Sequence, residues 1–140
     1  MATVTAPHRS IADAAVALGI SPDTLRYYER EDLLLAPVDR APSGHRRYSD
    51  DDLGWIVLVT RLRSTGMSIR NIHYYAGLCR AGDRTKPQRL EILRSHRKHV
   101  LAELARASEH LKAIEFKIDY YERELSDDSC LSATPEGPAS

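Results

Sequence analysis

Residues 21–31 read SPDTLRYYERE, and the front half of the chain is organised around them. Ser21 before Pro22 is the order of a helix N-cap and a first helical residue. The serine hydroxyl accepts an amide N–H that the first turn leaves unpaired, and proline has no N–H to leave unpaired. The spacing predicts a helix from Pro22 to about Arg30 or Glu31. On it Thr24, Tyr27, Tyr28 and Glu31 follow one another at three- or four-residue intervals or side by side, and Arg26 and Arg30 form an i,i+4 pair. These residue types suit a nucleic acid. Arginine forks phosphate or guanine, tyrosine donates its hydroxyl to phosphate, and threonine reaches a base or a phosphate. On a lone helix the plainer reading is a core Tyr28 and solvated arginines; the flanking sequence shifts the balance.

Upstream, IADAAVAL at 11–18 is rich in helix formers and Gly19 stops it. Two short helices parted by a tight turn are the spacing of a helix-turn-helix. Downstream, Pro37, Pro42 and Gly44 break the helical pattern. Leu33–Leu35 and Arg46–Tyr48 flank them as candidate strands, with Ser43-Gly44 at the turn, which predicts a small wing. Three arginines and a histidine fall between Arg40 and Tyr48, so the wing supplies a basic stretch. Ser49 then opens a third helix, with Asp50, Asp51 and Asp52 in the first turn where the helix dipole favours acids. Leu53, Ile56 and Leu62 give it an apolar face and Gly66 ends it. Ser68 caps a fourth helix carrying Ile69, Ile72 and Leu78, and a loop over Arg80–Thr85 follows.

From Lys86 to Leu125 there is no glycine, and no proline after Pro87. Alternating steps of three and four mark Leu90, Leu93, Arg97, Val100, Leu104, Ala107, Leu111, Ile114, Ile118, Tyr121 and Leu125. All but Arg97 are apolar or aromatic, a coiled-coil seam over about five heptads. Forty helical residues span roughly 60 Å, too long for a head of this size to cover the stripe, so a second copy is the expected partner. An intramolecular hairpin would need a turn inside the segment, and the sequence offers none. The heptads do not say whether the helices run parallel or antiparallel. Residues 126–140 turn small, polar and proline-containing and read as a disordered tail. The expected organisation is a flexible stretch over 1–8, a DNA-binding head over 9–80, a linker over 81–85, the dimerisation helix over 86–125 and that tail, with no separate effector-binding domain.

The class exclusions are simple. Twenty basic and twenty acidic residues cancel in 140, so any nucleic-acid contact must come from a local basic face. No apolar run approaches the length of a membrane span, and the N-terminus MATVTAPHRS is unlike a secretory leader, so no membrane partner is expected. Two cysteines, Cys79 and Cys130, make no disulfide framework, and a cytoplasmic location is expected.

The segments IADAA, GISPDTLRYYERE, LLLAPVDR, SGHRRYSDDDL and RLRSTGMSI, followed by the heptad helix, together resemble the MerR family of bacterial transcription regulators. The likeness is tight over 11–78 and extends in type to the long helix. It implies a mainly α protein: a winged helix-turn-helix N-terminal domain followed by a long dimerisation helix, antiparallel in the dimer. It implies a homodimer that binds a palindromic promoter element and controls RNA polymerase by bending and untwisting DNA whose promoter elements are spaced too far apart. By position it implies DNA contacts from Ser21, Thr24, Arg26, Tyr27, Tyr28 and Arg30 on the second helix. From the wing it implies Ser43, Gly44, His45, Arg46, Arg47 and Tyr48, and Arg63 before Gly66 matches a phosphate contact. The dimer interface would hold Leu90, Leu93, Val100, Leu104, Leu111, Ile114, Ile118 and Tyr121. Asp32 stands where the family usually has glycine; aspartate tolerates left-handed backbone better than most residues. His45 replaces the usual wing aromatic, and Ala12 a usual glycine.

The metal-sensing branch carries a cysteine at the start of the long helix and a pair after it. Here Thr85 and Lys86 stand at the first place and Cys130 alone near the second, a poor soft-metal set, so no metal and no cofactor are expected. The aldehyde-responsive branch keeps a thiol on the third helix, where this chain has none. His96, His99 and His110 read as polar residues of the long helix. No paired carboxylates, Ser/His/Asp set or phosphate loop points to an enzyme. The alternative function is a DNA-architectural, excisionase-like bender, which would share the head without needing the heptads.

Overall fold

The computed structural model describes residues 8–132. The chain divides into two compact units, residues 1–97 and residues 98–140. In the first, α1 (Ile11–Leu18) and α2 (Pro22–Arg30) precede a two-stranded hairpin, β1 (Asp39–Arg40) and β2 (Arg46–Arg47). Then come α3 (Asp50–Ser64), α4 (Ile69–Arg80), a 3-10 turn (Asp83–Thr85) and the start of α5 (Lys86–Ser132).

Serine opens each of the first four helices. Ser10 accepts from the Asp13 N–H, Ser21 from Thr24, Ser49 from Asp52 and Ser68 from Asn71. At α3 the cap is reciprocal, because the Asp52 carboxylate accepts the Ser49 N–H at 2.9 Å. Such caps pair amides that the first turn cannot. Gly19 ends α1 at φ 71°, the left-handed region only glycine enters without cost. α1 packs on α2 and α3, and α3 on α4. Leu25, Leu33, Tyr48, Ile56, Val59 and Ile72 are fully buried where they meet. Trp55 stacks flat on Tyr75 with centroids 5.8 Å apart and donates its indole N–H to the Leu33 carbonyl at 2.7 Å.

One expectation for the wing is corrected. The first strand of the wing is β1, not Leu33–Leu35: Asp39 pairs with Arg47 and Arg40 with Arg46. Leu33 and Leu34 are buried instead, so burial of two leucines outweighed their fit to a hairpin edge. The backbone of Arg9 adds a bridge to Tyr48, with both N–H···O distances 2.8 Å. Residues 81–85, expected as a linker, hold the 3-10 turn, where buried Thr85 donates its hydroxyl to the Leu78 and Gly82 carbonyls.

The turn after α2 is held by one arginine. Asp32 takes φ 58°, as a residue in a glycine-like position must. Arg80 reaches it from the end of α4. The guanidinium donates to the Asp32 carboxylate at 3.2 Å, to the Asp32 carbonyl at 3.0 Å, to the Leu35 carbonyl at 3.3 Å and to the Leu34 carbonyl. His73 Nε2 lies 3.3 Å from the same carboxylate. Arg80→Ala leaves these carbonyls without their donor and should cost about 2 kcal/mol. Urea denaturation checks this; an unchanged midpoint would mean that the turn holds itself.

α5 begins at Lys86, as the sequence predicts, but runs to Ser132, past the expected end at Leu125. Ser126, Asp127 and Asp128 are all compatible with a helix interior, so propensity does not stop it there. The remainder of the expected tail, 133–140, lies outside the described residues, as do residues 1–7 of the expected flexible stretch. Within the first unit Ile92 and Leu93 pack on the head's own core, and the Thr65 hydroxyl lies 2.8 Å from His96 Nε2. Within the second unit α5 leaves its apolar side chains open: Leu104, Leu111, Ile114, Ile118 and Tyr121 are about half exposed or more.

Candidate nucleic-acid interface

The basic residues gather on α2 and the wing. Arg26, Arg30 and Arg46 line one depression of about 330 Å³ with Glu29 among them. Glu29 decides how these two elements sit. Its carboxylate accepts the Arg46 Nε–H at 2.6 Å and lies 3.8 Å from the Arg40 guanidinium. An ion pair with one good hydrogen bond and half-buried partners holds geometry better than an exposed pair. The wing strand and α2 are thereby tied into one surface. Three guanidinium groups against the one carboxylate of Glu29 leave it cationic.

The individual side chains divide by burial. Arg26 is exposed and pairs with Asp23 at 2.8 Å, a surface contact that a stronger anion can displace. Arg30 lies over the Tyr27 ring, 5.8 Å from its centroid, so the two present a stacked cationic and aromatic edge. Thr24 is half-buried in the first turn, its hydroxyl 2.9 Å from that of Ser21. Ser21 itself is committed to capping. On the wing, Ser43, Gly44 and His45 are exposed at the turn, where Gly44 takes φ 89° and Arg40 donates to its carbonyl at 3.0 Å. Arg47 is half-buried on β2. Arg63 is exposed beyond this surface and donates to the Met67 carbonyl at 3.3 Å.

Two expected contacts are withdrawn. Tyr28 is 4% exposed, a core side chain whose hydroxyl lies 3.4 Å from that of Thr60. Tyr48 is fully buried, and its hydroxyl has no hydrogen-bond partner among the described residues. In both cases the ring area removed from water outweighs the preference of one hydroxyl for the surface. Arg46 keeps its place on the surface, but as the wing's tie to Glu29. Sequence reasoning passed over Glu29, Arg40 and Arg80 as positioning residues. A glutamate between the two arginines of α2, Arg26 and Arg30, was the available signal.

Burial pushes the Tyr48 hydroxyl above its usual pKa; Arg46 opposes that while Glu29 and Asp52 reinforce it. The folded state therefore keeps a proton that the unfolded chain releases. Stability is full below the unfolded value near pH 10 and falls as the pH rises toward the folded one. Tyr48→Phe should gain about 1 kcal/mol at neutral pH, because an unpartnered buried hydroxyl is removed. It should also flatten the alkaline decline in urea denaturation while leaving DNA affinity unchanged. A loss of affinity would return Tyr48 to the interface.

Among the described residues no group of three His, Cys, Asp or Glu side chains could hold a metal ion. Cys79 is partly buried against the core. Among the same residues no helix is long and apolar enough to cross a membrane.

An arginine-bearing helix behind a tight turn, tied to a basic hairpin on a small helical core, defines a winged helix-turn-helix DNA-binding protein. Comparison with known proteins narrows the class. The family described as MerR HTH family regulatory protein matches residues 9–76. An uncharacterized HTH-type transcriptional regulator of Haemophilus influenzae is 38% identical over 112 residues, 80% of this chain and 82% of that one. A crystal structure of HiNmlR, described as a MerR family regulator lacking the sensor domain and bound to promoter DNA, superposes with TM-score 0.76. It is 35% identical and the match covers 85% of this chain and 94% of that one. The structure of a putative MerR family regulator from Listeria monocytogenes gives TM-score 0.77 at 32% identity, over 90% of this chain and 99% of that one. The chain belongs to the MerR family of helix-turn-helix transcription regulators.

Proposed function

We propose that this regulator works as a homodimer on a palindromic promoter element in the cytoplasm. α2 of each copy enters the major groove, with Thr24, Arg26, Tyr27 and Arg30 toward bases and phosphates. His45, Arg46 and Arg47 of each wing, with Ser43 and Gly44 at its tip, meet the flanking backbone, and Arg63 meets a phosphate further along. The observation that carries this reading is the tie between Glu29, Arg40 and Arg46, which makes helix and wing one cationic surface. Two such heads at a fixed separation favour a bent and untwisted duplex, because deformation that costs a few kcal/mol is offset by contacts from both heads. That deformation would realign promoter elements for RNA polymerase. The exposed apolar side chains of α5 support self-association, since a single chain leaves them in water.

The test is footprinting on the upstream region of its own gene, with circularly permuted fragments to measure the bend and run-off transcription to read polymerase. A protected inverted repeat, a bend and a changed transcript level are the expected results. Protection and bending without any effect on transcription would favour the architectural alternative. Absence of a preferred site would remove the proposal.

A further inference from the structure

Asp23 puts an acid on the part of α2 that would go deepest into a groove. It stands in the first turn of the helix, and the N-terminal residues of a recognition helix are the ones that reach base edges. Its side chain is 92% exposed, and its Oδ1 accepts an N–H of Arg26 at 2.8 Å. Oδ2 makes no hydrogen bond among the described residues. A carboxylate at this place has an electrostatic cost. Over Pro22–Arg30, Asp23 and Glu29 cancel Arg26 and Arg30, and Asp23 repels any phosphate that comes near the turn. The helix dipole favours an acid in a first turn but is indifferent to what the open oxygen meets.

What Arg26 meets decides whether the pair survives binding. A phosphate brings its own negative charge and draws the guanidinium off Asp23. A guanine edge is uncharged. Its O6 and N7 take two of the five guanidinium N–H groups, and the bond to Asp23 is kept. The carboxylate is then held in the groove, within reach of the next base pair about 3.4 Å along the duplex. An ionised carboxylate only accepts hydrogen bonds, so it suits a base edge that offers a donor without an acceptor beside it. In the major groove that base is cytosine, with its N4 amine. Guanine and thymine present acceptors, and adenine sets N7 next to its amine. We infer that Asp23 determines specificity: tied to Arg26, it accepts the N4 amine of a cytosine in the base pair next to the guanine that Arg26 forks. The acid weakens general attraction to DNA and sharpens the choice among sequences.

The inference rests on the DNA interface proposed above, and its test separates the two. The probe is a duplex library with a randomised centre, selected at one salt concentration by the wild type, Asp23→Asn and Asp23→Ala. Both variants leave the Ser21 cap in place, so α2 should still form. The wild type should enrich an inverted repeat with a guanine and a cytosine in neighbouring pairs of each arm. D23N should keep the guanine and exchange the cytosine for adenine, whose N6 and N7 suit an amide. D23A should keep the guanine and lose a preference of about tenfold or more at the neighbouring pair. Its affinity for duplexes without the repeat should rise, because a negative charge leaves a surface that meets phosphates. A wild-type repeat without that cytosine, variants that select the wild-type sequence, or a D23A protein that loses the guanine as well each overturn the base-reading role and leave the interface standing. A wild type that enriches no repeat overturns both.

Discussion

Leu104→Lys should turn the protein into separate chains of 15.7 kDa at concentrations where the wild type is expected to sediment at twice that mass. In the single chain Leu104 is 64% exposed, so the substitution removes no contact within it and should not unfold it. In a dimer the side chain lies in the seam twice. Each copy loses the burial of a leucine, about 2 kcal/mol, and buries an ammonium group in its place. Together these exceed roughly 5 kcal/mol, more than a thousandfold in the dissociation constant. Sedimentation equilibrium with a parallel circular dichroism melt checks the result: helicity and melting of the head unchanged, mass halved. DNA affinity should fall with it, because two heads on separate chains lose the effective concentration that linkage supplies. A variant that still sediments as a pair would mean that the open face of α5 is not where the copies meet.

Arg26→Ala and Tyr27→Ala should abolish specific promoter binding while the head stays folded. Arg26 is tied only to Asp23 in an exposed pair, so its loss costs little stability. Tyr27 is half-buried and carries Arg30 on its ring, so its removal also loosens a second cation. A base contact is worth about 1–3 kcal/mol and is made by both heads, so either change should lower specific affinity by at least tenfold and up to several thousandfold. Non-specific binding should drop far less. Titrations at one fixed salt concentration are required, because phosphate contacts make every affinity salt-dependent. Unchanged specific affinity at fixed salt would take α2 out of the DNA interface.

Much of the architecture was legible because it is set by local chemistry. Ser21-Pro22, Ser49 with three aspartates after it, and Ser68 mark helix starts by the hydrogen bonds they make, and the helices begin where those residues stand. Asp32 was read as able to replace a left-handed glycine, and it does at φ 58°. The wing strand was misplaced for a non-local reason. Leu33–Leu35 has the composition of a strand, but Leu33 and Leu34 lie buried in the core, and only the folded chain reveals that competition. Tyr28 and Tyr48 fail in the same way as expected DNA contacts: motif position does not say which side of a helix or hairpin faces inward.

The sequence by itself determined the order of helices, the helix-turn-helix spacing, the two arginines of α2, the basic character of the wing, and a stripe on α5 that wants a partner. All of these depend on residues within a few positions of one another, where capping, backbone preference and periodicity act. Only the tertiary structure decided that Glu29 ties Arg46 to α2, that Arg80 pins the turn at Asp32 across 48 positions of chain, and that two tyrosines lie inside. Those depend on contacts between distant segments, set by packing of the whole core, and no local pattern encodes them.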